Sequence, residues 1–210
     1  MDAAQSFAPP PIETRLPKVG TTIFTVMSAL AVEKNAVNLG QGFPDFDCDP
    51  RLADAVADAM RSGLNQYAPM AGNPELRRVV AQKIAETCGA RYDWNHEITI
   101  TAGATQAILT AVLAIVRPGD EVIVIEPAYD SYVPAIELAG GSAVPVPMDA
   151  QFRVPWKAVR AALGPRTRAI LVNSPHNPSG TILREPDLRE LESIAVEHGL
   201  FVVSDEVYEH

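Results

Sequence analysis

Two uninterrupted apolar runs, Val122-Ile123-Val124-Ile125 and Ala169-Ile170-Leu171-Val172, constrain this chain more than any other feature. A strand with one wet face alternates apolar and polar residues. A strand with no polar positions is buried on both faces, as in a parallel sheet covered by helices. The surrounding sequence agrees, because strand-like and helix-like segments alternate. Strands are predicted at 97–101, 121–126, 142–147, 168–173 and 200–204, and helices at 103–116, 131–139, 155–163 and 185–198. Such alternation gives an α/β fold with a mostly parallel sheet flanked by helices. The preceding part reads differently. A Pro-rich arm runs to about Gly20, and a helix follows Thr21 or Thr22, with Ile23, Val26, Met27 and Leu30 at helical spacing. Residues 38–49 are Gly-, Pro- and Asp-rich and read as loop. Asp49-Pro50 and Asn73-Pro74 each pair a capping side chain with a proline at the first helical position, and Gly63 and Gly89 stop those two helices.

Composition narrows the function classes. The net charge of −9 argues against a nucleic-acid binder, which carries a basic patch. Cys48 and Cys88 lie far apart and outside any metal-ligand spacing, so they read as buried or idle thiols of a reducing cytosol rather than a disulfide or zinc site; no metal is expected. The first residues lack the basic-then-apolar pattern of a leader, and the longest apolar run, 111–116, is too short to span a bilayer. A cytoplasmic protein without membrane or nucleic-acid partners is the expectation.

In open α/β sheets ligands bind beyond the carboxyl ends of the strands. After the strand at 97–101 comes Ala102-Gly103-Ala104-Thr105, small residues opening a helix. Free N–H groups and the helix dipole favour an anion there, and the Thr105 hydroxyl adds a donor, although a packing need commonly explains small residues at such a turn. After 121–126 comes Pro127-Ala128-Tyr129, whose ring could stack on a flat ligand or simply be half-buried. After 168–173 comes Ser174-Pro175-His176-Asn177-Pro178-Ser179-Gly180, a stiff loop able to hold the Asn177 amide, or a plain turn. After 200–204 come Asp205, Glu206 and Tyr208. Carboxylates ending an apolar strand need partners, whether a cationic ligand or a helix cap. Together these place an anion cradle, an aromatic plate, an amide, a carboxylate and a phenol along one sheet edge. A flat, phosphorylated, hydroxylated pyridine asks for that set.

The motifs Val37-Asn38-Leu39-Gly40-Gln41-Gly42-Phe43-Pro44-Asp45-Phe46, Asn65-Gln66-Tyr67-Ala68-Pro69-Met70-Ala71-Gly72, Glu126-Pro127-Ala128-Tyr129-Asp130-Ser131-Tyr132 and Asn173 to Gly180 follow one another in order, with Thr101 to Gln106 and Ser204 to His210. In this series the chain resembles the class I/II aminotransferases of pyridoxal 5'-phosphate (PLP) fold type I, most of all the methionine, kynurenine and glutamine aminotransferase group. The resemblance implies PLP as cofactor, held by Gly103, Ala104 and Thr105 at its phosphate, Tyr129 on its ring, Asn177 and Tyr208 at its O3′, and Asp205 at its pyridine nitrogen. It implies that Tyr67 reaches the phosphate of a neighbouring subunit, hence a homodimer, and that Phe24, Gly42 and Asn177 line the substrate side. Asp205, Tyr208 and Asn177 are then the catalytic candidates. It also implies a cis Asn177-Pro178 peptide.

Two family parts have no match. The family's cofactor-linking lysine follows the Asp-x-x-Tyr motif in a Ser-x-Ser-Lys-like segment, and its carboxylate-binding arginine comes later still. None of Lys18, Lys34, Lys83 and Lys157 follows a strand end at a matching place. The chain is therefore expected to be an N-terminal region, with residues 1–47 as arm, helix and substrate-side loop and 48–210 as an incomplete large domain. Later strands of the family sheet would flank 97–101, which is expected to lack a neighbour here. The leading expectation is transfer of an amino group from a methionine-like or aromatic amino acid to a 2-oxo acid, with this segment inactive alone. The alternatives are a PLP-dependent C–S lyase and a non-catalytic remnant that binds a partner or a phosphate ligand.

Overall fold

The computed structural model describes residues 13–42, 44 and 46–209. The predicted arm therefore lies largely outside the described residues, as do Phe43, Asp45 and His210. Two compact units emerge, residues 20–101 and, with 13–19, residues 102–209.

In the first unit each helix begins where a side chain satisfies the free N–H groups of its first turn. Thr22 caps α1 (Ile23–Glu33) by accepting from the Thr25 N–H at 3.3 Å. Asp49 caps α2 (Pro50–Arg61) from Arg51 N–H at 2.9 Å, and Asn73 caps α3 (Pro74–Cys88) from Glu75 N–H at 2.8 Å. Gly89 ends α3 in the left-handed region at φ 71°. The apolar stripe of α1 is not core, because Ile23, Val26, Met27 and Leu30 are all exposed. Residues 97–101 carry strand-like sequence but form no strand. Strands are made by ladder partners, and the Ile100 N–H instead donates to the Ala71 carbonyl at 3.0 Å. Gly72, at φ 98°, makes this approach possible, since a Cβ there would sit 2.5 Å from that of Ile100. Both cysteines are exposed thiols rather than core residues.

The second unit is the predicted α/β layer. It runs α4 (Ala104–Ile115), β1 (Glu121–Glu126), α5 (Tyr132–Leu138), β2 (Ser142–Pro147), α6 (Trp156–Ala162), β3 (Thr167–Asn173), α7 (Glu185–His198) and β4 (Phe201–Asp205). The sheet is wholly parallel, in the order β2-β1-β3-β4. Strand alternation explains the unbroken apolar runs. Val122, Val124, Ala169 and Leu171 point to one face, where Ile108 and Val112 of α4 and Ile136 of α5 cover them. Ile123, Ile125, Ile170 and Val172 point to the other, beneath Val159 of α6 and Leu191 and Ile194 of α7. On that second face the indole of Trp156 donates to Asp187 at 2.8 Å, and Arg160 pairs with Glu190 at 2.6 Å, joining α6 to α7. β4 pairs only with β3 among the described residues, and its Phe201 and Val202 remain exposed. No helix among the described residues is long and apolar enough to cross a membrane.

Ile170 is fully buried on the central strand β3, so Ile170→Ala is expected to cost about 2–5 kcal/mol in urea denaturation. Val196→Ala, on the exposed face of α7, is expected to stay within about 0.5 kcal/mol of the parent.

Candidate functional site

The carboxyl ends of three strands and the amino end of one helix meet around a cavity of about 220 Å³. β1 delivers the turn carrying Tyr129, β3 the loop carrying Asn177, and β4 the segment carrying Asp205 and Tyr208. α4 contributes Ala104 and Thr105. Of the sequence-predicted residues in this unit, Ala104, Thr105, Tyr129, Asn177, Asp205 and Tyr208 all line the cavity. Gly103 is the N-cap of α4, at φ 83°, a conformation that a side chain resists. The positive end of the α4 dipole and the Thr105 hydroxyl thus belong to one wall. Phe24, Gly42 and Tyr67 lie in the other unit; Phe24 is half-buried, while Gly42 and Tyr67 are fully or largely exposed.

Strand register does much of the positioning. Asn173 and Asp205 are partners across the β3–β4 ladder. The Asn173 side chain donates from Nδ2 to the Asp205 carbonyl at 2.9 Å and accepts the Asn177 N–H at 2.7 Å. One amide therefore ties the end of β4 to the loop holding Asn177. The Asn177 amide in turn lies 3.4 Å from the Tyr208 hydroxyl, to which it donates. The Asn177-Pro178 peptide is cis, as are Glu126-Pro127 and Ser174-Pro175.

Asp205 is 8% exposed, a carboxylate carried into the molecule by an apolar strand. Its Oδ2 accepts from the Tyr132 hydroxyl at 2.6 Å, and its Oδ1 from the Val207 N–H at 3.1 Å. The neighbouring carboxylate is not part of the site, since Glu206 is exposed and accepts from Ser204 Oγ at 2.7 Å. Sequence reasoning missed Tyr132 as a functional residue. It sits three positions after Tyr129, at the first turn of α5, so its ring meets Tyr129 edge-on at 6.0 Å and its hydroxyl reaches Asp205. The signal available was a second tyrosine three residues beyond the first, where the chain leaves the turn and enters α5. Burial, and then the hydrogen bond to Asp205, push the Tyr132 phenol well above its ordinary value.

Two results follow for Tyr132. Tyr132→Phe removes a buried donor from a buried carboxylate and is expected to cost about 1–3 kcal/mol at pH 8. The phenol's folded value lies above its ordinary 10.0, so the unfolded chain releases this proton first. The corresponding stability is complete below that value and is lost as pH rises past it. Urea midpoints between pH 8 and 11 are expected to fall more steeply for the parent than for Tyr132→Phe.

Known proteins resemble this chain over most of its length. Residues 34–210 match the family model of aminotransferase class I and II. The chain is 48% identical over 199 residues to a methionine aminotransferase of Escherichia coli, covering 94% of this chain and 52% of that protein. It is 48% identical over 200 residues to a probable N-succinyldiaminopimelate aminotransferase of Mycobacterium tuberculosis, covering 94% of this chain and 50% of that protein. A crystal structure of an Escherichia coli methionine aminotransferase superposes with a TM-score of 0.91 at 47% identity, over 95% of this chain and 52% of that one. The chain thus spans about half the length of the relatives it matches. With a fold type I sheet and a family match over most of its length, the chain belongs to the class I and II aminotransferases.

Proposed function

We propose that the protein carrying this chain is a PLP-dependent aminotransferase taking its amino group from a methionine-like or aromatic amino acid and passing it to a 2-oxo acid. The family is PLP-dependent, and the residues around the cavity suit that cofactor chemically. A buried carboxylate wants a cationic partner, Tyr129 offers a ring, Asn177 and Tyr208 offer donors, and the α4 terminus with Thr105 offers an anion seat. The observation that carries the reading is Asp205, a carboxylate 8% exposed and opening onto an aromatic-walled cavity at a strand end.

When bound, the pyridinium ring of PLP supplies an electron sink for the carbanion left when an amino acid loses its α-proton. Asp205 would hold the pyridine nitrogen protonated, because an adjacent negative charge favours the cationic form. Tyr132 and the Val207 N–H keep the Asp205 carboxylate in one orientation while leaving it lone pairs for that nitrogen. Asn177 and Tyr208 would donate to the ring oxygen. Gly103, Ala104 and Thr105 would fix the phosphate, and Tyr129 would lie on the ring face. Phe24 and Gly42 would line the substrate side. Tyr67, exposed in this chain, would serve the phosphate of a second subunit in a homodimer. Two exposed free thiols fit a reducing compartment, which supports the cytoplasm as its location. Residues 1–47 would form arm, helix and substrate-side loop, and 48–210 the larger part of the cofactor domain.

In the full-length protein, Asp205→Asn is expected to keep cofactor binding but lower kcat by about a hundredfold or more, since the amide cannot hold the ring nitrogen charged. Near-parental turnover would refute the role given to Asp205. A panel of methionine, aromatic amino acids and N-succinyldiaminopimelate against one 2-oxo acid tests the donor class. Preference for the last would overturn the methionine-like or aromatic assignment. No lysine lines the cavity among the described residues. The 210-residue chain alone is therefore expected to give no turnover above free PLP and no single lysine adduct after borohydride reduction.

A further inference from the structure

His176 is 5% exposed and has no part in the site chemistry outlined above. It precedes Asn177, and its imidazole is bonded at both nitrogens. Nε2 lies 2.9 Å from the Pro127 carbonyl, and Nδ1 lies 2.7 Å from Ser179 Oγ. A carbonyl oxygen only accepts, so Nε2 carries a hydrogen. In the neutral ring Nδ1 must then accept the Ser179 hydroxyl proton. Ser179 is held in its turn. It accepts the Thr181 N–H at 3.3 Å and lies 2.8 Å from Thr181 Oγ1, whose hydroxyl reaches the Phe152 carbonyl at 3.1 Å. The ring has one tautomer and one orientation available.

The placement of these bonds gives them a purpose. Within the Asn177 loop, the His176 N–H donates to the Thr181 carbonyl at 2.8 Å and the Gly180 N–H to the His176 carbonyl at 2.7 Å. Those bonds shape the loop but do not fix it to the opposite wall. Pro127 stands two residues before Tyr129, in the turn that forms that wall. Among the described residues, the hydrogen bond joining loop to turn is the one from His176 to Pro127.

We propose that His176 is a positioning residue: through Nε2–H it clamps the loop of Asn177 to the turn of Tyr129 and so sets the gap between amide and ring face. The inference rests on the cofactor reading given above, because that gap matters where a flat ring must meet the Tyr129 face and the Asn177 donor together. Misplacement of a contact group by about 1 Å can cost up to a hundredfold in rate, so a clamp at this point is worth more than its one hydrogen bond.

The test uses the full-length protein and the variants His176→Phe, which keeps a ring without hydrogen bonds, and His176→Gln, whose amide can both donate to Pro127 and accept from Ser179. His176→Phe is expected to lower kcat/KM on the order of tenfold. It is also expected to shift the pH at which the absorption band of bound PLP titrates in the same direction as Asn177→Ala does. His176→Gln is expected to restore most of both. In an Asn177→Ala background, His176→Phe is expected to add less than about a twofold loss, because the two act through one group. Two readings need no cofactor. Histidine-ring NMR of the parent should show the Nε2–H tautomer, and exchange of the Asn177 and Tyr129 amides should quicken in His176→Phe and slow again in His176→Gln. An Nδ1–H tautomer, additive losses in the two backgrounds, or a glutamine variant no better than phenylalanine would overturn the proposal. A parent that binds no PLP would instead refute the cofactor reading, and the tautomer and exchange measurements would still decide the clamp.

Discussion

The parallel pairing of β3 with β4 is the constraint on which the site depends. It sets Asn173 opposite Asp205 at the ends of two adjacent strands. One short amide at that position bonds the β4 backbone on one side and the Asn177 loop on the other. A one-residue slip in this register would turn Asp205 to the opposite face of the sheet and separate it from Tyr132. The buried faces of β3 oppose such a slip, because Ile170 and Val172 belong to one core and Ala169 and Leu171 to the other. Packing of ordinary aliphatic side chains therefore fixes where a charge ends up.

Burial of Asp205 is what turns this arrangement towards chemistry. A carboxylate at a strand end could remain in water as a helix cap. Here the strand carries it inward, and the structure compensates with a phenol and a backbone N–H. Tyr132 is itself buried, at 2% exposure, so the pair forms a polar unit inside an apolar layer. Such units are costly when incomplete and orienting when satisfied. The same economy applies at His176, where a second buried polar group is satisfied on both sides and joins two walls of one cavity.

Much of this was legible in sequence for definite reasons. The capped helix starts at Asp49-Pro50 and Asn73-Pro74 depend on neighbouring residues alone, and the helices begin there. The unbroken apolar runs imply two covered faces, and both faces are covered. The strand at 97–101 was misread because its sequence is strand-like while a strand requires a partner, which is a property of the whole sheet. The helical spacing of Ile23, Val26, Met27 and Leu30 marks α1, but periodicity shows only that a helix has an apolar side and not what covers it, and here these residues are exposed. Tyr132 was passed over because its importance lies in a bond to a residue 73 positions away.

The sequence by itself determined the element order apart from the strand at 97–101, the α/β class, the family, and the set of side chains standing at the strand ends. Local rules govern those features: caps, periodicity, turn residues and motifs in series. Only the tertiary structure decided that Asp205 faces the cavity while Glu206 faces water, that Tyr132 is the partner of Asp205, and that His176 bridges to Pro127. Each of these depends on which strands lie side by side and in what register. Chain neighbours do not encode that information; it arises when two apolar faces are buried at once.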